Sequence, residues 1–175
     1  MERRDERDRL APVFLSLLAV LFLGPAPASA QERLDPSAPR SFAAYRLSLA
    51  VQDAESRLES SACREVFGDF RDPSGRTMQD LLDEIGRTLS EHLGLLVFLE
   101  GEGNERCGVP QIMALTQPGS RAIFICSRQF LKAQRKDPRI GAAVIIHEEL
   151  HSLGLRENPP SSEEITARVI ARCGR

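Results

Sequence analysis

Tryptophan is absent from this 175-residue sequence and tyrosine occurs once, at Tyr45, so side chains for stacking on bases or sugar rings are nearly missing. An excess of charge is missing as well. Its 23 basic and 25 acidic residues leave a net −2, which gives neither nucleic acid nor an anionic membrane an electrostatic reason to bind. No apolar run reaches the roughly 20 residues that a bilayer-spanning helix needs. None of the four cysteines stands in C-x-x-C spacing, which removes a zinc knuckle and a thioredoxin-like redox pair from consideration. Histidine is scarce too, at three, but two of the three lie four residues apart.

The apolar run that does exist, "VFLSLLAVLFL", follows the charged "MERRDERDRL" and precedes "GPAPASA", which ends in small residues. That order is the order of a secretory signal, with residues 1–30 removed after Ala30 and the product secreted or periplasmic. The four arginines of the leading segment are matched by four acids, so an uncleaved N-terminal membrane anchor is the alternative. If the segment is cleaved, no stable membrane span remains. Residues 31–40, polar and proline-containing, read as a flexible leader, and 41–175 as a single domain long enough for its own core.

Cys63, Cys107, Cys126 and Cys173 all lie in that domain. In an exported chain an even count reads as two disulfides, for which three connectivities exist. The preferred set joins Cys107 to Cys126, which flank a hairpin signal, and Cys63 to Cys173.

Along the domain, Leu47, Val51, Ala54 and Leu58 recur at helical spacing after Ser41. Thr77 is an N-cap candidate for a second helix, with Met78, Leu81, Leu82, Ile85, Leu89 and Leu93 as one stripe ending at Gly94. "LLVFLE", residues 95–100, reads as a strand, and two apolar runs around Gln117-Pro-Gly-Ser read as a hairpin. "RQFLKAQRKD" suits a short helix. Asp137-Pro138 opens another helix, running to about Leu153 with Gly154 as its C′ residue. Ser161-x-x-Glu164 is a capping box for the last. Helices, a short antiparallel sheet and further helices make an α+β domain.

The predicted helix before Gly154 contains "HEELH". Residues four apart project from one face a turn apart, so His147 and His151 can share a metal ion. Glu148 lies about 100° round the axis, where it can reach a water beside the metal as general base. The competing reading is an amphipathic helix that carries two imidazoles by coincidence.

The stretch resembles the H-E-x-x-H of the zincin metallopeptidases, and "HEELHSLGLRE" is similar to the longer metzincin frame H-E-x-x-H-x-x-G-x-x-H. Gly154 occupies the glycine position, Glu157 stands where the third histidine would be, and no methionine follows Met113 to supply a Met-turn. The resemblance implies a small zincin-like domain, Zn2+ held by His147 and His151, Glu148 as general base, and Gly154 turning the chain back to the metal. It also implies a peptide or protein substrate, with the strand "RAIFIC" as an edge onto which an extended peptide adds; an ordinary core strand is the other reading of that segment.

A hydrolytic zinc site needs a third protein ligand. Glu157 is the first candidate. Glu164 is the second, on the pattern of the gluzincins, although its capping box accounts for it without a metal. Glu163 is the third. His92 is expected beside the core stripe, Arg156 and Arg168 are candidate oxyanion donors, and Tyr45 is expected to pack. The expectation that follows is an exported zinc metallopeptidase. The alternative is a non-catalytic, secreted, disulfide-stabilised zincin-like domain that binds zinc or a protein.

Overall fold

The computed structural model describes residues 41–174. The expected signal sequence and the leader over 31–40 lie outside the described residues. The first element, α1 (Phe42–Leu58), starts where the Ser41 hydroxyl accepts the Ala44 N–H at 3.1 Å. Its Leu47, Ala50, Ala54 and Leu58 are buried along one stripe. Two single turns, α2 (Ser61–Arg64) and α3 (Val66–Asp69), then carry Cys63, Val66 and Phe67 into the core.

The single helix expected after Thr77 is instead two, α4 (Met78–Glu84) and α5 (Leu89–Leu93). Gly86 adopts φ +64°, a conformation a residue with a Cβ rarely takes, and ends the first. Thr88 and Glu91 form a second capping box that starts the next. Ile85, expected on the buried stripe, falls at the break and is exposed.

The sheet is mixed rather than antiparallel. Its strands, β1 (Val97–Glu100), β2 (Ala114–Thr116) and β3 (Ala122–Ile125), lie in the order β1-β3-β2. The expected hairpin pairs β2 with β3 antiparallel, while β1 runs parallel to β3 from Val97↔Ala122 to Glu100↔Ile125. The strand of "RAIFIC" is therefore central, not an edge, because both its sides are hydrogen-bonded. β2 is the edge on one side of the sheet.

Three helices complete the domain: α6 (Ser127–Lys136), α7 (Ile140–Ser152) and α8 (Ser162–Cys173). Twelve consecutive residues of α7, from Gly141 to Ser152, are buried, since α1, α6, α8 and β2 all contact it. A helix covered on every side must satisfy its polar groups internally. Both expected disulfides are present: Cys63–Cys173 ties α2 to the end of α8, and Cys107–Cys126 ties a 3-10 turn (Glu105–Gly108) to the end of β3. Among the described residues no helix is long and apolar enough to cross a membrane.

Candidate metal centre

His147 and His151 lie on α7 with their Nε2 atoms 3.0 Å apart. The end of that helix brings a third group to them. Leu155 donates its N–H to the Leu150 carbonyl and Gly154 to that of His151, the two bonds of a Schellman motif, with Gly154 at φ +114°. Leu150 and Leu155, the apolar pair that accompanies the motif, are both fully buried. The reversal turns the Leu155 carbonyl toward His151 and sends the chain back past the imidazoles. Glu157 Oε1 ends 3.4 Å from His151 Nε2 and 3.8 Å from His147 Nε2. These three side chains form a group that can hold a metal ion, with all their ligand atoms within 4.8 Å of one another.

The other ring nitrogens are spoken for. Nδ1 of His151 lies 2.8 Å from the Leu155 carbonyl. A carbonyl only accepts, so Nδ1 carries the proton and Nε2 is left as a bare acceptor. Nδ1 of His147 lies 3.0 Å from the Thr166 hydroxyl, which can accept the same way. Hydrogen-bonded partners of this kind orient metal-ligating imidazoles and fix their tautomers. Glu157 is steered as well: the neighbouring His147 and Ser162 side chains stabilise its carboxylate against partial burial and hold the carboxyl at about 2. Ser162 and Thr166 are four residues apart on α8, so one face of that helix positions two of the three groups.

Glu148 is buried, and its Oε2 has no hydrogen-bond partner among the described residues. It shares a cleft of about 640 Å³ with His147, His151 and Glu157, walled by β2 and α8. Glu148 lines the cleft while its Oε2 is itself buried and unpaired, so the carboxylate is a candidate proton acceptor beside the metal-binding group. The cleft and the metal-binding group are continuous.

The remaining candidates go elsewhere. Glu164 accepts the Ser161 N–H at 2.8 Å in its capping box and stays outside the cleft. Glu163 lines the cleft but is not in the three-residue group. Arg168 pairs with Asp69 at 3.4 Å, and neither it nor Arg156 lines the cleft, so no oxyanion donor comes from them. His92 is buried with its Nδ1 3.4 Å from Oε1 of Glu149, whose carboxyl burial pushes up to about 7 against that hydrogen bond. Tyr45 is exposed on α1 rather than packed.

Sequence reasoning missed Ser162, Thr166, the Leu155 carbonyl and one cleft cation, Arg106. Helical spacing does place Ser162 and Thr166 on one stripe beside the buried Ile165, Val169 and Cys173. Nothing in the sequence says which helix that stripe meets. Comparison of the chain with protein-family models, curated proteins and solved structures finds no match, so the site's chemistry rests on its own geometry.

Proposed function

We propose that this protein is an exported zinc-dependent peptidase of the zincin type, with His147, His151 and Glu157 as metal ligands and Glu148 as general base. One observation carries the reading. Ligand atoms about 2.0–2.1 Å from a tetrahedral ion stand about 3.3 Å apart, and the three acceptor atoms here are separated by 3.0, 3.4 and 3.8 Å. Two neutral imidazoles and a carboxylate are a donor set that suits zinc and leaves a position open for hydrolysis. Two disulfides suit an oxidising compartment.

Bound zinc supplies Lewis acidity toward a peptide carbonyl and a hydrolytic water. The chain's own residues do the rest. The Glu148 carboxylate takes a proton from the attacking water and returns it to the leaving amine nitrogen as the C–N bond breaks. Thr166 and the Leu155 carbonyl hold the imidazoles in the tautomer that presents Nε2. β2 is an edge strand along the cleft, and its outer main-chain groups can pair with an extended peptide.

The test is zinc content and cleavage of a broad peptide pool, measured on the same oxidised samples. The expected result is one zinc per chain and cleavage in the wild type, loss of both in His151→Ala, and zinc without cleavage in Glu148→Gln. Zinc with no wild-type cleavage supports the non-catalytic alternative. A folded protein that takes up no zinc refutes both.

A further inference from the structure

The cleft carries a second charged feature, set apart from its acids. Arg106 is the only lysine or arginine among its lining residues, which also include Glu148, Glu157 and Glu163. Despite that company its guanidinium forms no hydrogen bond or ion pair among the described residues. The backbone beneath it is held firmly. Arg106 N–H donates to the Asn104 side chain at 3.0 Å, and the next residue, Cys107, is bonded to Cys126.

Cys126 in turn donates its N–H to the Met113 carbonyl, which sets Arg106 beside the start of β2. At the far end of the same hairpin arm, Gly119 donates to the His151 carbonyl at 2.9 Å. The arm from Met113 to Pro118, of which Ala114–Thr116 are strand, spans at most roughly 16 Å at about 3.3 Å per residue. Up to about five extended residues cover that distance. Between the two ends the cleft is lined by Ile112, Val144 and Ile170. The cavity is thus polarised, with the metal-binding group and its acids toward one end, an apolar stretch between, and a free cation at the other.

We propose that Arg106 is a specificity-determining residue that binds a substrate carboxylate two to four residues from the cleaved bond, beyond an apolar side chain seated on Ile112, Val144 and Ile170. The inference rests on the peptidase reading and names its substrate class. A planar guanidinium with no internal partner matches a carboxylate through two parallel N–H···O bonds. Glu163, which lines the cleft at the metal end without being in the metal-binding group, repels the same negative charge and favours the orientation that places it at Arg106. Such a carboxylate has two sources, a peptide C-terminus or an acidic side chain.

The experiment uses the zinc-loaded exported protein and three peptide hydroxamates that engage the metal. One ends in a free leucine carboxylate, one in the leucine amide, and one in an amidated glutamate. Wild type is expected to bind at least one carboxylate probe about tenfold more tightly than the leucine amide, the gain from one charge-assisted pair. Which probe gains identifies the source. Arg106 is exposed and its side chain holds nothing in place, so Arg106→Gln folds, and it should bind all three within about twofold. Equal binding of the three probes by wild type, or a preference that survives Arg106→Gln, overturns the role of Arg106 and leaves the metal centre standing. Binding of no hydroxamate, in protein that takes up no zinc, overturns both.

Discussion

If the group binds zinc as proposed, Thr166→Val should weaken that binding about 10–100-fold while changing one hydroxyl to a methyl. With a metal on Nε2, the His147 ring must carry its proton on Nδ1 and donate it to Thr166, 3.0 Å away. The His147 side chain is only 7 % exposed, so bulk water does not take the place of the lost hydroxyl. A buried donor left without a partner costs about 1–3 kcal/mol, and 1.4 kcal/mol is about tenfold in affinity. The metal-free protein escapes part of that cost. There the ring can move its proton to Nε2, which faces the bare Nε2 of His151 at 3.0 Å. The loss therefore falls on the zinc-bound state, within the range typical of such outer-shell partners. Competition with a chromophoric chelator measures the affinity, and thermal unfolding of the metal-free protein checks that the fold is kept. Thr166→Ser should recover most of the affinity. A dissociation constant within twofold of wild type, in folded Thr166→Val, would refute either the orienting hydrogen bond or the ligand role of His147.

Glu157→Gln should cost more zinc affinity than Thr166→Val does, whereas Glu164→Ala should leave it unchanged and destabilise α8 by about 1 kcal/mol through loss of its cap; the same chelator titration and urea unfolding separate the two. Serine replacement of Cys63 and Cys173, 110 residues apart, should destabilise the fold by about 5 kcal/mol, against about 3 kcal/mol for Cys107 and Cys126, 19 apart, on the chain-entropy account. Urea unfolding in the reverse order would refute that account here. The side chains of Ser74 and Arg76 and their N–H groups hold the Asp72 carboxyl at about 2, below its ordinary 3.8. A depressed carboxyl contributes stability that is present above the ordinary value and is lost as pH falls toward 2. Asp72→Asn should therefore be less stable than wild type above pH 4, with the gap closing by pH 2 in unfolding curves taken across that range.

The parts of the fold that were legible in advance are those whose signals are local. Ser41, Ser161 and Gly154 mark helix ends because each acts on a backbone group within a few residues. The turn around Pro118-Gly119 marks the β2–β3 hairpin for the same reason. Asp137, expected to cap α7, instead ends α6 and only accepts the Arg139 N–H in the turn before α7 begins at Ile140. Periodicity failed where a local signal was passed over. The stripe from Met78 to Leu93 keeps helical spacing across a break that Gly86 and the Thr88–Glu91 box impose. Sheet order failed for a different cause. "RAIFIC" alternates well enough for an edge or a centre, and only the return of β1, parallel and non-adjacent in sequence, decides between them.

The candidate site divides along the same line. The spacing of His147, Glu148 and His151 is a property of one helix and needs no tertiary information. The third group was a competition among three glutamates, and the contest turned on what else claims each carboxylate. Glu164 is taken by the Ser161 cap, a claim visible in the sequence. Glu157 has no such local partner; its place beside the imidazoles depends on the Schellman reversal at Gly154, and its carboxylate is held there by Ser162. The deeper dependence is on α8. Cys63–Cys173 and the pairing of Arg172 with Asp69 fix that helix against α2 and α3, and its inner stripe then presents Thr166 to His147 and Ser162 to Glu157. A metal centre placed this way depends on α8 as well as on α7. Loosening α8 by cutting Cys63–Cys173 should therefore weaken zinc binding even in molecules that remain folded, whereas cutting Cys107–Cys126 should spare zinc binding and act on the Arg106 end of the cleft.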